Sequence, residues 1–401
     1  MELYRWDLNL KVRLFGEGLF NLLFWMYFPF ITVYFARTLG VELAGLLMAV
    51  PPLFLLVGSL IGGSLADEIG RRPVMLAGKF SQGFLFLVFA LSTNAYVDYI
   101  TYISIGFMGA IYKPASSAMV ADLVPTEHLR NVFATFMASN NIGAVLGPLL
   151  GAVLFFEYRQ ALLLGCALVL FGYGGLLAVL TSETRPVSTE KTVATTFFTQ
   201  GRSYATILID PLFRLYLIAG VFALIPIMQL DVYLPVYLIE QTPATFNVSN
   251  TVLFGWLVAY NGLLFVVFII PVTRVFRAWD ERRVLLLSTF LGGFGTFLVA
   301  FSSNIWYLLI VTTMFTFGEL IRSPVSQSFV SHYAPIESRG QYLATDTLQN
   351  TIGKFLAPVT VFASGFLSPL AVFTLILLSA LIGMGLYAKL FDKLNQMKVS
   401  S

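Results

Sequence analysis

The chain has 401 residues, 58% of them hydrophobic and only 11% charged, with a formal net charge of +3. A soluble domain is about one quarter charged, so the composition excludes one, and so small a net charge implies no nucleic-acid or other polyanionic partner. The single cysteine, Cys166, excludes an internal disulfide and a cysteine-based metal site. His128 and His332 fall at the ends of expected loops in unrelated contexts and read as solvated residues, so no metal is expected.

The apolar runs are long and continuous rather than alternating over about ten residues, which predicts helices and not a barrel. At about 20 residues per crossing, the fold expected is all-α and integral to the membrane. Spans are expected near 10–36, 43–66, 74–93, 98–120, 132–156 and 160–181, then 212–240, 251–275, 284–302, 305–330, 341–366 and 369–390. The start, "MELYRWDLNLKVR", has mixed charge and runs into a span too long for the core of a cleavable signal. One long polar stretch, rich in threonine and charge, separates the sets of six. The expected organisation is therefore a half at 1–182, a linker at 183–211 and a half at 212–401.

Basic residues give the orientation. Arg5, Lys11, Arg71, Arg72, Arg130, Arg185, Lys191, Arg202, Arg274, Arg277, Arg282, Arg283, Arg339, Lys393 and Lys398 fall on one side, against Arg37 and Arg159 on the other. The positive-inside rule then makes both termini and the linker cytoplasmic, in the cell membrane of what reads as a bacterial chain.

The halves repeat each other. Pro114 and Pro324, Pro125 and Pro335, Glu127 and Glu337, Asn140 and Asn350, Gly143 and Gly353, and Pro148 and Pro358 all keep one offset, 324 − 114 = 210. Two parallel six-helix repeats are one transporter architecture, with the substrate site near the midplane.

"GGSLADEIGRRPV" resembles the loop motif between helices two and three of the major facilitator superfamily, and "GAVLGPLLG" resembles that superfamily's helix-five motif, typical of its drug/proton antiporters. "SETRP" is similar to the common end of the first half, and "MQLDVYLPVYL" and "TFGELIRSPVSQSF" resemble segments of its multidrug transporters. In the loop motif Gly63 is read as a close-packing position and Gly70 as a tight turn, while Asp67, Arg71 and Arg72 form a charged group able to lock one conformation. The resemblance implies that Asp67 and Arg71 hold an outward-open state against helix eleven. Glu68 stands where the family usually has a basic residue. On helix five, Gly143, Gly147 and Gly151 at four-residue steps, with Pro148, offer a face for close helix approach. The family likeness implies that this face meets the other half.

Charges inside the spans are the functional candidates. Asp231 is the only formal charge from Leu215 to Ile239, although a carboxylate near the bilayer centre costs roughly 2.5 kcal/mol or more. Glu319 and Arg322 lie in span ten, Lys354 in span eleven, Lys113 in span four, and Arg13 and Glu17 four residues apart in span one. A desolvated carboxyl holds its proton more tightly, which suits Asp231 and Glu319 to proton uptake on one side and release on the other, with Glu17 a further candidate for proton coupling or substrate binding. The resemblance implies the same role, together with cation binding. It does not extend to a helix-five acid those transporters carry, replaced here by Phe136, nor to the superfamily's helix-four arginine, replaced by Tyr102. The structural alternatives are fixed pairs, Glu319 with Arg322, Asp231 with Lys354 and Arg13 with Glu17.

Aromatic residues crowd span one at Phe24, Trp25, Tyr27, Phe28, Phe30 and Tyr34, where rings pack, face lipid, or bind amphipathic cations. A phosphate-cradling loop is absent, no catalytic constellation is visible, and the Asn247 sequon is incidental. The expected activity is not enzymatic. It is proton-coupled export of small amphipathic, cationic drugs by a monomer among membrane lipids, with the proton gradient in place of any cofactor. A carrier or flippase for anionic amphiphiles or lysolipids is the alternative, suggested by Lys113, Arg322 and Lys354. A receptor or scaffold would need none of the buried charges.

Overall fold

The computed structural model describes residues 7–185, 207–242, 249–276, 279–335 and 338–400. Arg5, Lys191, Arg202, Asn247, Arg277, Glu337 and most of the expected linker lie outside the described residues, as do the side chains of Glu127, Arg130 and Lys398. Among the described residues, twelve membrane-length or near-membrane-length helical stretches follow one another. The first six are α1 (Leu8–Leu39), α2 (Val41–Ile69), α3 (Arg71–Leu91), α4 (Ala95–Leu123), α5 (Thr126–Glu157) and α6 (Arg159–Leu180). The second six are α7 (Pro211–Gln241), α8 (Asn250–Phe276), α9 (Glu281–Phe301), α10 (Ile305–Tyr333), α11 (Arg339–Leu356, resuming at Val359–Ala363) and α12 (Pro369–Ser400).

Among the described residues, ten stretches are long and apolar enough to cross a membrane. The two that are not, α4 and α11, hold the fourth and eleventh places and are more polar. Helix α11 carries Gln341, Thr345, Asp346, Gln349 and Asn350, of which Thr345 and Gln349 are buried, Asp346 is half-buried, and Gln341 and Asn350 are exposed. Outward-facing positions are strongly apolar instead. Leu168, Val179 and Ile310 are 75%, 81% and 69% exposed, the reverse of a water-soluble surface.

The chain divides into two compact units, Met1–Ile31 with Val50–Gln200, and Thr32–Ala49 with Gly201–Ser401. The division differs from the expected halves, because the end of α1 and the start of α2 cluster with the C-terminal unit. Within the first unit α1 packs on α5 and α6, α3 on α4 and α6, and α2 on α4. Within the second, α7 packs on α11 and α12, α9 on α10 and α12, and α8 on α10.

The repeat seen in the sequence is also a repeat in packing. A Cβ on Gly18 would meet Ser139 Oγ at 2.3 Å, and one on Gly220 would meet Gln349 Oε1 at 1.4 Å. Gly143 lies against Leu22, and Gly353 against Met228, with Leu224 at 3.5 Å. On helices one and seven the partners differ by 220 − 18 = 202, and on helices five and eleven by 349 − 139 = 210. Each unit therefore sets a glycine of its first helix against a polar side chain of its fifth.

Candidate functional site

Helix α7 is interrupted where its acid sits. Pro226 and Pro235 have no N–H, so the carbonyls four residues before each lose their helical donor. For Pro235 that carbonyl belongs to Asp231, and Thr32 Oγ1 donates to it instead at 3.4 Å. Between the prolines the backbone tightens to a 3₁₀ turn at Met228–Leu230, then passes through a short α segment to a π turn at Tyr237–Gln241. Such irregularity inside a span is tolerated where protein supplies the missing bonds. Here Gln229 donates to the Ile225 carbonyl at 2.8 Å and accepts from Thr360 Oγ1 at 2.8 Å.

Asp231 ends the 3₁₀ turn. Its Oδ1 is buried with no hydrogen-bond partner among the described residues. It lies within electrostatic reach of Glu319 and of Lys354, yet no ion pair within 4.0 Å joins it to Lys354, whose side chain is exposed. Glu319 lines a cavity of ≈ 170 Å³ with Ser323, Ser326, Asp346, Gln349 and Asn350. The expected alternative of a Glu319–Arg322 pair is not what α10 forms. Arg322 donates to Tyr387 Oη at 2.8 Å, to Gln349 Oε1 at 2.8 Å and to the Gly220 carbonyl at 3.5 Å. Gln349 in turn donates to Asp346. Arg322 is thus a structural anchor of the cavity wall.

A second polar cluster is buried in the first unit. Arg13 pairs with Glu17 at 3.4 Å and donates to the Ser116 carbonyl at 2.6 Å. Glu17 Oε1 accepts from Tyr112 Oη and Ser116 Oγ, each at 2.6 Å. Tyr112 and Tyr173 share a hydrogen bond of 2.7 Å. Lys79, which the sequence reading missed, completes the cluster from α3. Lys113, by contrast, is exposed on α4 and takes no part.

At the α2–α3 turn Gly70 adopts φ 107°, as a tight turn requires. Arg71 pairs with Asp67 at 3.2 Å and, more deeply, with Asp122 at 3.0 Å. Glu183, from the "SETRP" stretch, accepts from the backbone N–H groups of Arg71 and Arg72, each at 3.0 Å, which places a carboxylate on the α3 N-terminus. Partial burial pushes the Glu183 carboxyl up, but bonds from the N–H groups of Arg185, Arg71, Arg72 and Thr184 outweigh it and hold the group below the ordinary value of 4.5. Arg72 donates to the Ala178 carbonyl.

Two readings of the glycines need correction. Gly63 is not the close-packing residue of α2: a Cβ there would stand 3.9 Å from Pro114, whereas Gly62 would meet the Ile111 carbonyl at 2.3 Å. On α5, Gly143, Gly147 and Gly151 do admit another helix, but it is α1 of the same unit, at Leu22, Trp25 and Met26. Pro148 stands beside them inside α5. Arg37 and Arg159 are both paired, with Glu240 at 2.7 Å and Asp98 at 2.8 Å. His332 is exposed beside Glu281.

Comparison with known proteins decides the family. The sequence pattern of the Major Facilitator Superfamily matches residues 14–243 and 242–396. The chain belongs to that superfamily. A Na(+), Li(+), K(+)/H(+) antiporter of Planococcus maritimus is 38% identical over 383 residues, 90% of each chain. Multidrug resistance protein MdtH of Cronobacter sakazakii is 24% identical, over 82% of this chain and 80% of that one. A crystal structure of the peptide transporter POT in complex with sulfate superposes with a TM-score of 0.79 at 15% identity, over 99% of this chain and 96% of that one. At that identity the superposition bears on the fold alone. The chain is a multi-pass superfamily transporter, and its relatives are transporters rather than enzymes.

Proposed function

We propose that this superfamily member exchanges protons for monovalent cations by alternating access, with Asp231 and Glu319 holding either proton or cation. The observation that carries the reading is Asp231 Oδ1, buried in the break of α7 without a hydrogen bond. A carboxyl with a free oxygen and no close ion pair can bind a proton or a cation, and repulsion from a nearby second carboxylate keeps the two acids from standing ionised and empty together. The cavity at Glu319, lined by carboxyl, hydroxyl and amide side chains with Arg322 in its wall, holds a few water-sized volumes, enough for a small inorganic cation beside the two acids Glu319 and Asp346. The relative from Planococcus maritimus supports sodium, lithium or potassium as cargo.

A second reading keeps the mechanism and changes the cargo to an amphipathic organic cation, that is, multidrug export. The rings of Phe24, Trp25, Tyr27 and Phe28, with centroids 4.7–5.9 Å apart, favour it, as does the likeness to MdtH. Transport of anionic amphiphiles has less support, since Arg322 is engaged by Tyr387 and Gln349. In either reading the protein works as a monomer in the bacterial cell membrane, its termini cytoplasmic, driven by the proton gradient without a cofactor.

The test is reconstitution in liposomes with an imposed pH gradient. Addition of Na⁺, Li⁺ or K⁺ should collapse the gradient in the wild type and fail to do so in Asp231→Asn. Ethidium in place of the metal ions tests the second cargo. Full exchange by a folded Asp231→Asn protein would sink the mechanism.

A further inference from the structure

Lys79 lies on α3 with its side chain 3% exposed. Its ammonium stands 3.9 Å from the Tyr112 ring centroid, 4.5 Å from that of Phe20 and 5.9 Å from that of Tyr173. One oxygen, Gln82 Oε1, accepts from it at 3.0 Å. That oxygen is aimed at the lysine because Gln82 Nε2 is tied to the Ile105 carbonyl at 2.9 Å. Gly109 leaves the room Gln82 needs, since a Cβ there would stand 2.7 Å from Nε2. Glu17 is in electrostatic reach and is bonded to the Tyr112 hydroxyl. Ring faces from α1, α4 and α6, an oriented amide oxygen and a nearby carboxylate together make a receptor for an ammonium group. A lysine placed there only to balance Glu17 would not need it, because Arg13 already pairs with Glu17.

We propose that the first unit contains an ammonium-binding cage, formed by Phe20, Tyr112, Tyr173 and Gln82 beside Glu17, which the chain's own Lys79 fills. The class of ligand it takes is a primary alkylammonium ion. Lys79 acts as a tethered occupant that keeps free cations out of the first unit, leaving exchange to the acids of the second. The cage goes beyond the exchange assigned to Asp231 and stands on its own geometry; only the division of labour between the units rests on that exchange.

Lys79→Ala removes three methylenes and the ammonium, which n-propylammonium replaces. In detergent, millimolar n-propylammonium chloride should raise the melting temperature of Lys79→Ala saturably, by about 2 °C. It should leave the wild type unmoved, and n-propanol should have no effect on either. The shift should vanish when Glu17→Gln or Gln82→Leu is added to Lys79→Ala. A folded Lys79→Ala protein that responds equally to n-propylammonium and n-propanol, or to neither, overturns the cage. If Lys79→Ala is recovered folded only when n-propylammonium is present during expression and extraction, the cage stands. Equal recovery with n-propanol, or no recovery with either, overturns it. Because the readout is binding, loss of cation exchange in the liposome assay would leave this result untouched.

Discussion

Arg322 donates to Gln349 Oε1 at 2.8 Å, and Gln349 reaches that position because residue 220 is glycine. A Cβ on Gly220 would stand 1.4 Å from the same oxygen. Gly220→Ala should therefore displace Gln349, release the arginine from the wall of the Glu319 cavity, and destabilise the protein by about 1–3 kcal/mol. Thermal unfolding in detergent reads the stability, and cation-driven collapse of a pH gradient reads the function. Both should fall.

Neighbouring glycines on α2 should behave differently. Gly62→Ala drives a methyl group into the Ile111 carbonyl at 2.3 Å, where backbone meets backbone and cannot yield cheaply. Gly63→Ala meets only ordinary contact at 3.9 Å. Folded yield after extraction should drop sharply for the first and stay near wild type for the second, since alanine also favours helix by about 1 kcal/mol over glycine.

Arg71 has two acidic partners of unequal value. Asp67 is 62% exposed, whereas Asp122 is 18% exposed and also accepts from Thr184 Oγ1 at 3.0 Å. An exposed pair contributes 0–1 kcal/mol, and removing a partner from a buried charge costs about 1–3 kcal/mol. Asp122→Ala should lower the melting temperature more than Asp67→Ala. The reverse order would show that Asp67 has a partner beyond the α2–α3 turn in the state that dominates in solution.

Glu183 supplies a pH dependence with a definite sign. Its carboxyl is held below 4.5 in the folded protein, so its contribution is fully present above the unfolded value and is lost as pH falls through the lower folded one. Wild-type stability should decline below about pH 4.5, and Glu183→Gln should reduce the part of that decline due to the α3 N-terminus. At neutral pH Glu183→Ala should cost about 1 kcal/mol, the usual worth of a helix cap. Melting curves from pH 7 to pH 3.5 separate the two proteins.

Hydropathy made the spans legible because each must hide its backbone from lipid, and the same requirement made Asp231 conspicuous. Lys79 escaped notice for the opposite reason. It follows Arg71 and Arg72 by two turns of helix, which reads as a snorkelling residue near a boundary, and the rings that cage it come from α1, α4 and α6. Glu183 and Asp122 look like ordinary polar residues at helix ends until the fold brings both to Arg71. Gly220 carries no signal of its own, since its meaning lies in Gln349 on another helix. Gly62 and Gly63 show the limit most sharply: adjacent residues of one type, told apart by 1.6 Å (3.9 − 2.3) of space.

The break in α7 puts the charged group on a joint. A continuous helix moves as a rod, but Pro211–Ile227 and Tyr233–Val236 are separated by a turn with its own hydrogen bonds. Whatever neutralises Asp231 changes the electrostatic load at that joint, which bonds from Thr32 and Thr360 hold from outside α7. A change of charge at Asp231 thus falls within the one stretch of α7 where the backbone leaves regular α-helical geometry.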